Sequence, residues 1–130
     1  MKQSETAGAY KPQPRCIAVF VRRIGGQPVV VGVTPSIQMA YRGDEVIWDI
    51  ICDEDGIEVQ IGGFTPKAAL AAKQPWKKTD ADRKTKTKQD GSASIGDEVT
   101  DDADPGDFEY SITLNGSLAL DPEVRIRETP

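Results

Sequence analysis

Apolar and polar residues alternate with a period of two through most of this chain, the pattern of strands that bury one face. The runs CIAVFVRR (16–23) and QPVVVGV (27–33) are rich in β-branched residues and are separated by Ile24-Gly25-Gly26. Two adjacent glycines accept positive φ without penalty, which predicts a tight hairpin. In SIQMAY (36–41) the alternation points Ile37, Met39 and Tyr41 inward, with Gln38, Ala40 and Arg42 outward. After the turn Arg42-Gly43-Asp44, EVIWDIIC aligns Val46, Trp48, Ile50 and Cys52, and IEVQI then aligns Ile57, Val59 and Ile61.

The pattern breaks between Phe64 and Asp90. Thr65-Pro66 reads as an N-cap followed by proline at the first helical position, and KAALAAK favours a helix of one or two turns that stops before Pro75. Beyond Trp76, KKTDADRKTKTKQDG offers no apolar anchor except Ala81, so a solvated excursion outside the sheet is expected. Alternation returns weakly at SASIGDEV and passes the acidic turn TDDADPGD. It is strong again at Phe108, Tyr110, Ile112 and Leu114, then at Val124 and Ile126. Seven or eight short strands separated by turns predict an all-β fold, a two-sheet antiparallel Greek-key sandwich with one short helix in a long connecting loop. Residues 1–15 read as a flexible N-terminal arm and 16–130 as a single domain, with a charged loop at 67–91 carrying the helix.

Charge changes this picture more than composition does. The net charge is -5, which argues against a surface that coats nucleic acid or anionic membrane. The basic residues are nevertheless concentrated: Lys67, Lys73, Lys77, Lys78, Arg83, Lys84, Lys86 and Lys88 fall in one excursion. The segment from Ala93 to Tyr110 is acidic throughout. The polar opening MKQSETAGAYKPQPR and the lack of long apolar runs predict a protein without signal peptide or membrane span, cytoplasmic as given and extracytoplasmic if the N-terminus is a processed end. Two cysteines, Cys16 and Cys52, fall short of a disulfide framework and leave a single bond open.

The order GDEVIWDI, IEVQI, a long connection with a short helix, PGDFEYSI and a final DPEVRI resembles the cupredoxin-like fold. In copper-bearing members of that family, ligands come from histidines, a cysteine and a methionine, at places that fall here near Ile57, Ile112, Asn115 and Leu118 to Leu120. The chain contains no histidine. A blue-copper centre needs two imidazoles and a thiolate, so the resemblance implies a metal-free member with no cofactor, its former site filled by packing.

Three chemistries remain to be weighed. Cys52, Met39 and Cys16 form a soft sulfur set suited to Cu(I), although Met39 and Cys52 read first as core. The carboxylates of DDADPGD suit calcium but lack EF-hand spacing, and read first as a solvated turn; paired carboxylates for glycoside hydrolysis have no apolar setting to raise one pKa. Trp76 beside Lys77 and Lys78 has the makings of a weak nucleic-acid site, or it tucks under the sandwich rim while the lysines face water or meet the acidic stretch of the same or a neighbouring molecule. Arg42-Gly43-Asp44 and Asn115-Gly116-Ser117 read as turns, acquiring adhesion or glycosylation meaning only outside a cell. The sequence therefore points to a non-enzymatic binding or assembly module, with a protein partner or self-association. Its expected contact residues are Trp76, Lys77, Lys78, Arg83, Lys84, Arg42, Asp44 and Asn115.

Overall fold

The computed structural model describes residues 10–68, 73–90 and 93–129. Two sheets pack face to face. One holds β2 (Gln27–Thr34), β1 (Pro14–Ile24), β4 (Glu45–Ile51) and β7 (Ser94–Glu98) in that order. The other holds β3 (Ile37–Tyr41), β10 (Glu123–Arg127), β8 (Gly106–Leu114), β5 (Glu58–Pro66) and β6 (Lys84–Lys86), with β9 (Ser117–Leu120) also paired to β8. The chain crosses between the sheets after β2, β3, β4, β6 and β7, so the all-β two-sheet sandwich expected from the alternation is present. Both sheets are mixed, because β1 runs parallel to β4 and β3 runs parallel to β10.

Alternation and burial agree along the strands that form the core. Ile17, Val19 and Val21 of β1, Val46, Trp48 and Ile50 of β4, and Phe108, Tyr110, Ile112 and Leu114 of β8 are all buried. Trp48 lies at the centre: its indole N–H donates to the Tyr110 hydroxyl at 3.0 Å, and its ring meets Tyr110, Phe64 and Trp76 edge-on or tilted. Burial pushes the Tyr110 phenol strongly up, so it remains a neutral acceptor. The turns behave as their residues demand. Gly25 and Gly26 have φ of 60° and 82° and close the β1–β2 hairpin, while Asn115 at 48° and Gly116 at 83° close β8 onto β9.

Four expectations are corrected. Thr65 and Pro66 are not a helix cap but the end of β5, where they pair with Glu109 and Phe108 of β8; the predicted helix at KAALAAK lies largely outside the described residues. Extra strands appear, because β6 and β9 are too short to show a period of their own. In β3 the faces are inverted: Ala40 is fully buried and Met39 is 47% exposed. Parallel pairing sets Ala40 beside buried Ile126 and Met39 beside Arg125 on the outer face, and a strand so short takes its orientation from its neighbour. Finally, order begins ahead of residue 16, since Pro14 and Arg15 already pair with Glu45 and Val46 of β4.

Asp44 explains that early order. Its side chain is wholly buried and accepts hydrogen bonds from Tyr10 Oη (2.5 Å), Gln13 N (2.8 Å), Arg15 Nε (2.9 Å) and Tyr41 N (2.9 Å). Arg15 also reaches the Tyr10 hydroxyl and lies over the Tyr41 ring. Burial pushes the Asp44 carboxyl up, but the donors together outweigh it and hold the group below the usual carboxylate range. The turn predicted at residues 42–44 is thus the knot that ties the incoming chain to β4. Removing the charge in Asp44→Asn should cost about 3 kcal/mol in urea unfolding, since buried donors lose their acceptor. The depressed carboxyl contributes fully above its unfolded value of about 3.9 and loses that contribution as pH falls through the lower folded value. Wild-type stability should therefore decline below about pH 4, and the decline should be shallower in Asp44→Asn.

Candidate functional site

The basic excursion is folded onto the sandwich instead of lying in solvent. Its anchor is Arg83, 1% exposed, whose Nε donates to the Ile61 carbonyl at 3.0 Å. Nη1 donates to the Lys78 carbonyl (2.7 Å) and to Asp97 Oδ2 (2.8 Å), and Nη2 binds Asp80. The guanidinium lies over the Phe64 ring at 4.9 Å and the Trp76 ring at 5.9 Å. Asp97, equally buried, also accepts from the backbone N–H groups of Lys78 and Glu98. Such a pair needs a planar fork with donors in fixed directions, which lysine lacks.

Local sequence provides the room. Gly62-Gly63 interrupts β5 with an irregular register, and Gly63 takes a φ of 67°. A Cβ on Gly62 would come within 2.8 Å of Asp80 Cγ, and Gly63 N donates to Asp80 Oδ2. The bulge therefore receives the 3₁₀ turn Asp80–Asp82, after which Lys84–Lys86 pairs with β5 as β6. Thr87 continues the attachment, its hydroxyl accepting from Ile57 N at 3.0 Å. Phe64, Trp76 and Arg83 line a cleft of about 610 Å³ beside these anchors.

The predicted contact residues are accordingly dispersed. Trp76 is 6% exposed and packs on Trp48 and Phe64, bridging Val99; it is a core residue, not a ring offered to a base. Arg83 and Asp44 are buried structural hubs. Lys77 meets Glu98 at 2.6 Å, Lys78 Nζ donates to the Gly96 carbonyl, and Lys84 faces Glu58 at 4.0 Å. Lys73 pairs with Asp102, so the basic and acidic stretches meet within one molecule. Arg42 donates to the Ala103 carbonyl at 2.7 Å. Asn115 is locked into its turn, with Oδ1 accepting from Glu58 N and its N–H donating to the Glu58 carbonyl.

The sulfur set is separated in character: Cys52 is buried, Cys16 is exposed, both are free thiols, and Met39 stands on the outer face of β3. No cluster of three or more Cys, Asp or Glu with metal-binding geometry occurs among the described residues. Of the places where the family resemblance sets copper ligands, Ile57 and Ile112 are buried in the core, while Leu118 and Leu120 are exposed. Among the described residues no helix is long and apolar enough to cross a membrane.

A different surface emerges where charge is missing. Residues Ile24 to Tyr41 include no charged side chain, the longest such run in a chain that is 28% charged. That run forms β2 and β3, the terminal strands of the two sheets on one side of the sandwich. It carries exposed Ile24, Val31, Ile37 and Met39. Phe20 pairs with Gly32 and Ile51 with Phe20 in register, and Leu118 shares with Val29 and Val30 a cleft of about 440 Å³. The composition of this run was visible in the sequence, but its exposure was not. No protein-family model matches the chain, and no curated protein is significantly similar to it.

Three substitutions test the buried cluster. Arg83→Lys should destabilise by about 3 kcal/mol in chemical unfolding, because it leaves Asp97 buried with part of its partner set gone. Trp76 Nε1 has no hydrogen-bond partner. Trp76→Phe should therefore cost about 1 kcal/mol less than Trp48→Phe, which breaks the bond to Tyr110.

Proposed function

We propose that this chain is a non-catalytic binding or assembly module on a metal-free, cupredoxin-like sandwich, acting through protein contacts. One observation carries the reading: cations of the basic excursion are joined to carboxylates of the same chain, while large apolar side chains stay exposed on the outer faces of the sheets, Phe20, Val31 and Ile51 on one and Ile37 and Met39 on the other. Contiguous exposed apolar surface marks an interaction site in a soluble domain. Internal pairing of Lys73, Lys77, Lys84 and Arg83 with carboxylates weakens the basic loop as a nucleic-acid surface. The family resemblance draws support from the two-sheet sandwich alone, and the metal-free reading from the burial of Ile57 and Ile112 at two of the ligand places.

The test has two arms. Protein purified without chelator should contain no stoichiometric copper or calcium by elemental analysis; a full equivalent of either overturns the metal-free reading. A library of charge substitutions at Phe20, Val31, Ile37, Met39 and Leu118 should abolish association, with itself or with a bound protein, while leaving thermal unfolding within about 0.5 kcal/mol of wild type. A wild-type protein that associates with nothing overturns the module.

A further inference from the structure

Gly32 sits inside β2, where a glycine weakens the strand and is kept for a bend, a bulge or the close approach of another group. The bulge beside it, where the register with β1 shifts, does not demand glycine, because Gly32 is not among the residues of positive φ. Crowding does not demand it either: a Cβ there would meet only Phe20 Cδ2, at an ordinary 3.8 Å. The glycine leaves a bare place on the outer face of its sheet. Phe20, Val31 and Ile51, all exposed, line it, and together they floor a cleft of about 480 Å³. Small-ligand sites span roughly 300–1,000 Å³.

The rim of this cleft carries charge that the fold does not use. Arg15, Arg23, Arg42, Arg83, Arg125 and Arg127 each donate to a carboxylate or a carbonyl. Arg22, on the rim, is the one arginine that makes no hydrogen bond or ion pair among the described residues. Asp53 lines the same cleft and likewise pairs with nothing, Arg22 included. Asp90 brings a second carboxylate to the rim.

We infer that the cleft binds a small zwitterion with an apolar body, the chemistry of a large neutral α-amino acid. Its carboxylate meets Arg22, its ammonium meets Asp53, and its side chain lies over Gly32 against Phe20, Val31 and Ile51. Charge complementarity selects this class. A plain anion would face two carboxylates for one arginine, and a plain cation would leave Arg22 unanswered beside it; a zwitterion satisfies both signs. The guanidinium fork matches a carboxylate with two parallel bonds, and cover of the apolar floor adds the gain that exposed ion pairs alone do not give. This site goes beyond the protein-contact reading and does not depend on it, since Ile37 and Met39 of the other sheet take no part.

Titration of the isotope-labelled full chain with L-phenylalanine should give saturable amide shifts at Phe20, Arg22, Val31, Gly32, Ile51 and Asp53. Glycine, a zwitterion without the apolar body, should give none over the same range. Hydrocinnamate, which lacks the ammonium, and phenethylamine, which lacks the carboxylate, should each bind at least about tenfold more weakly. Arg22→Gln should weaken L-phenylalanine about tenfold and leave phenethylamine no weaker, and Asp53→Asn should do the same with hydrocinnamate as the spared ligand.

Gly32→Val fills the bare place with a residue that strands favour, so it should abolish binding without lowering Tm. Met39→Lys, on the other sheet, should leave the ligand affinity unchanged. Absence of saturable shifts, an analogue that matches L-phenylalanine, or binding that survives Gly32→Val overturns the site. Association with a protein that is lost on substitution of Ile37 and Met39 would stand through any of those results, so failure of the ligand site and failure of the module are distinguishable.

Discussion

The buried pair of Arg83 and Asp97 is the constraint that converts a lysine-rich excursion into part of the fold. One guanidinium reaches the Ile61 carbonyl of one sheet, the Asp97 carboxylate of the other and the Lys78 carbonyl of the excursion itself. Burying two charges carries a heavy desolvation cost, repaid only when nearly every donor and acceptor is used. Here all three guanidinium nitrogens donate, and the group lies over the rings of Phe64 and Trp76. The pair holds Trp76 against Trp48, closes the margin of β7 and fixes the start of β6. A segment without apolar anchors is thus ordered by a polar one.

Asp44 plays the corresponding part for the incoming chain. A single carboxylate gathers donors from Tyr10, Gln13, Arg15 and Tyr41, so a turn before β4 also decides where β1 begins and why it runs parallel to β4. Both hubs follow one rule: a buried charge is tolerated where the backbone and a rigid arginine converge on it. Two further cations of the excursion, Lys73 and Lys77, pair with the acidic stretch across the margin, while Lys67 and Lys84 meet Glu123 and Glu58 elsewhere. These contacts are exposed and individually weak, but they leave little unbalanced charge on that side.

The consequence is an asymmetric molecule. One side is dressed in ion pairs; the other, built from a single uncharged run, leaves apolar side chains exposed. Protein surfaces usually keep large apolar side chains scattered or covered, so this distribution is the surface feature on which the proposed binding role rests.

The sequence by itself determined the strands that bury one face. In β1, β4, β5 and β8 the period of two is long and regular enough for hydrophobic burial alone to choose the face, and the Gly25-Gly26 and Asn115-Gly116 turns were fixed by their tolerance of positive φ. Gly62-Gly63 inside a strand, and one arginine among lysines, were signals of a bulge and a buried fork that could have been read there. Tertiary structure alone decided the rest. The faces of β3 were set by its parallel neighbour because five residues bury too little to choose for themselves. Burial of Trp76, Arg83 and Asp44 depended on partners distant along the chain, Asp97 and Trp48 for the first two, Tyr10 and Arg15 for the third. Local pattern records which residues avoid water, whereas the pairing of a charge with a remote partner is recorded only where the chain brings the two together.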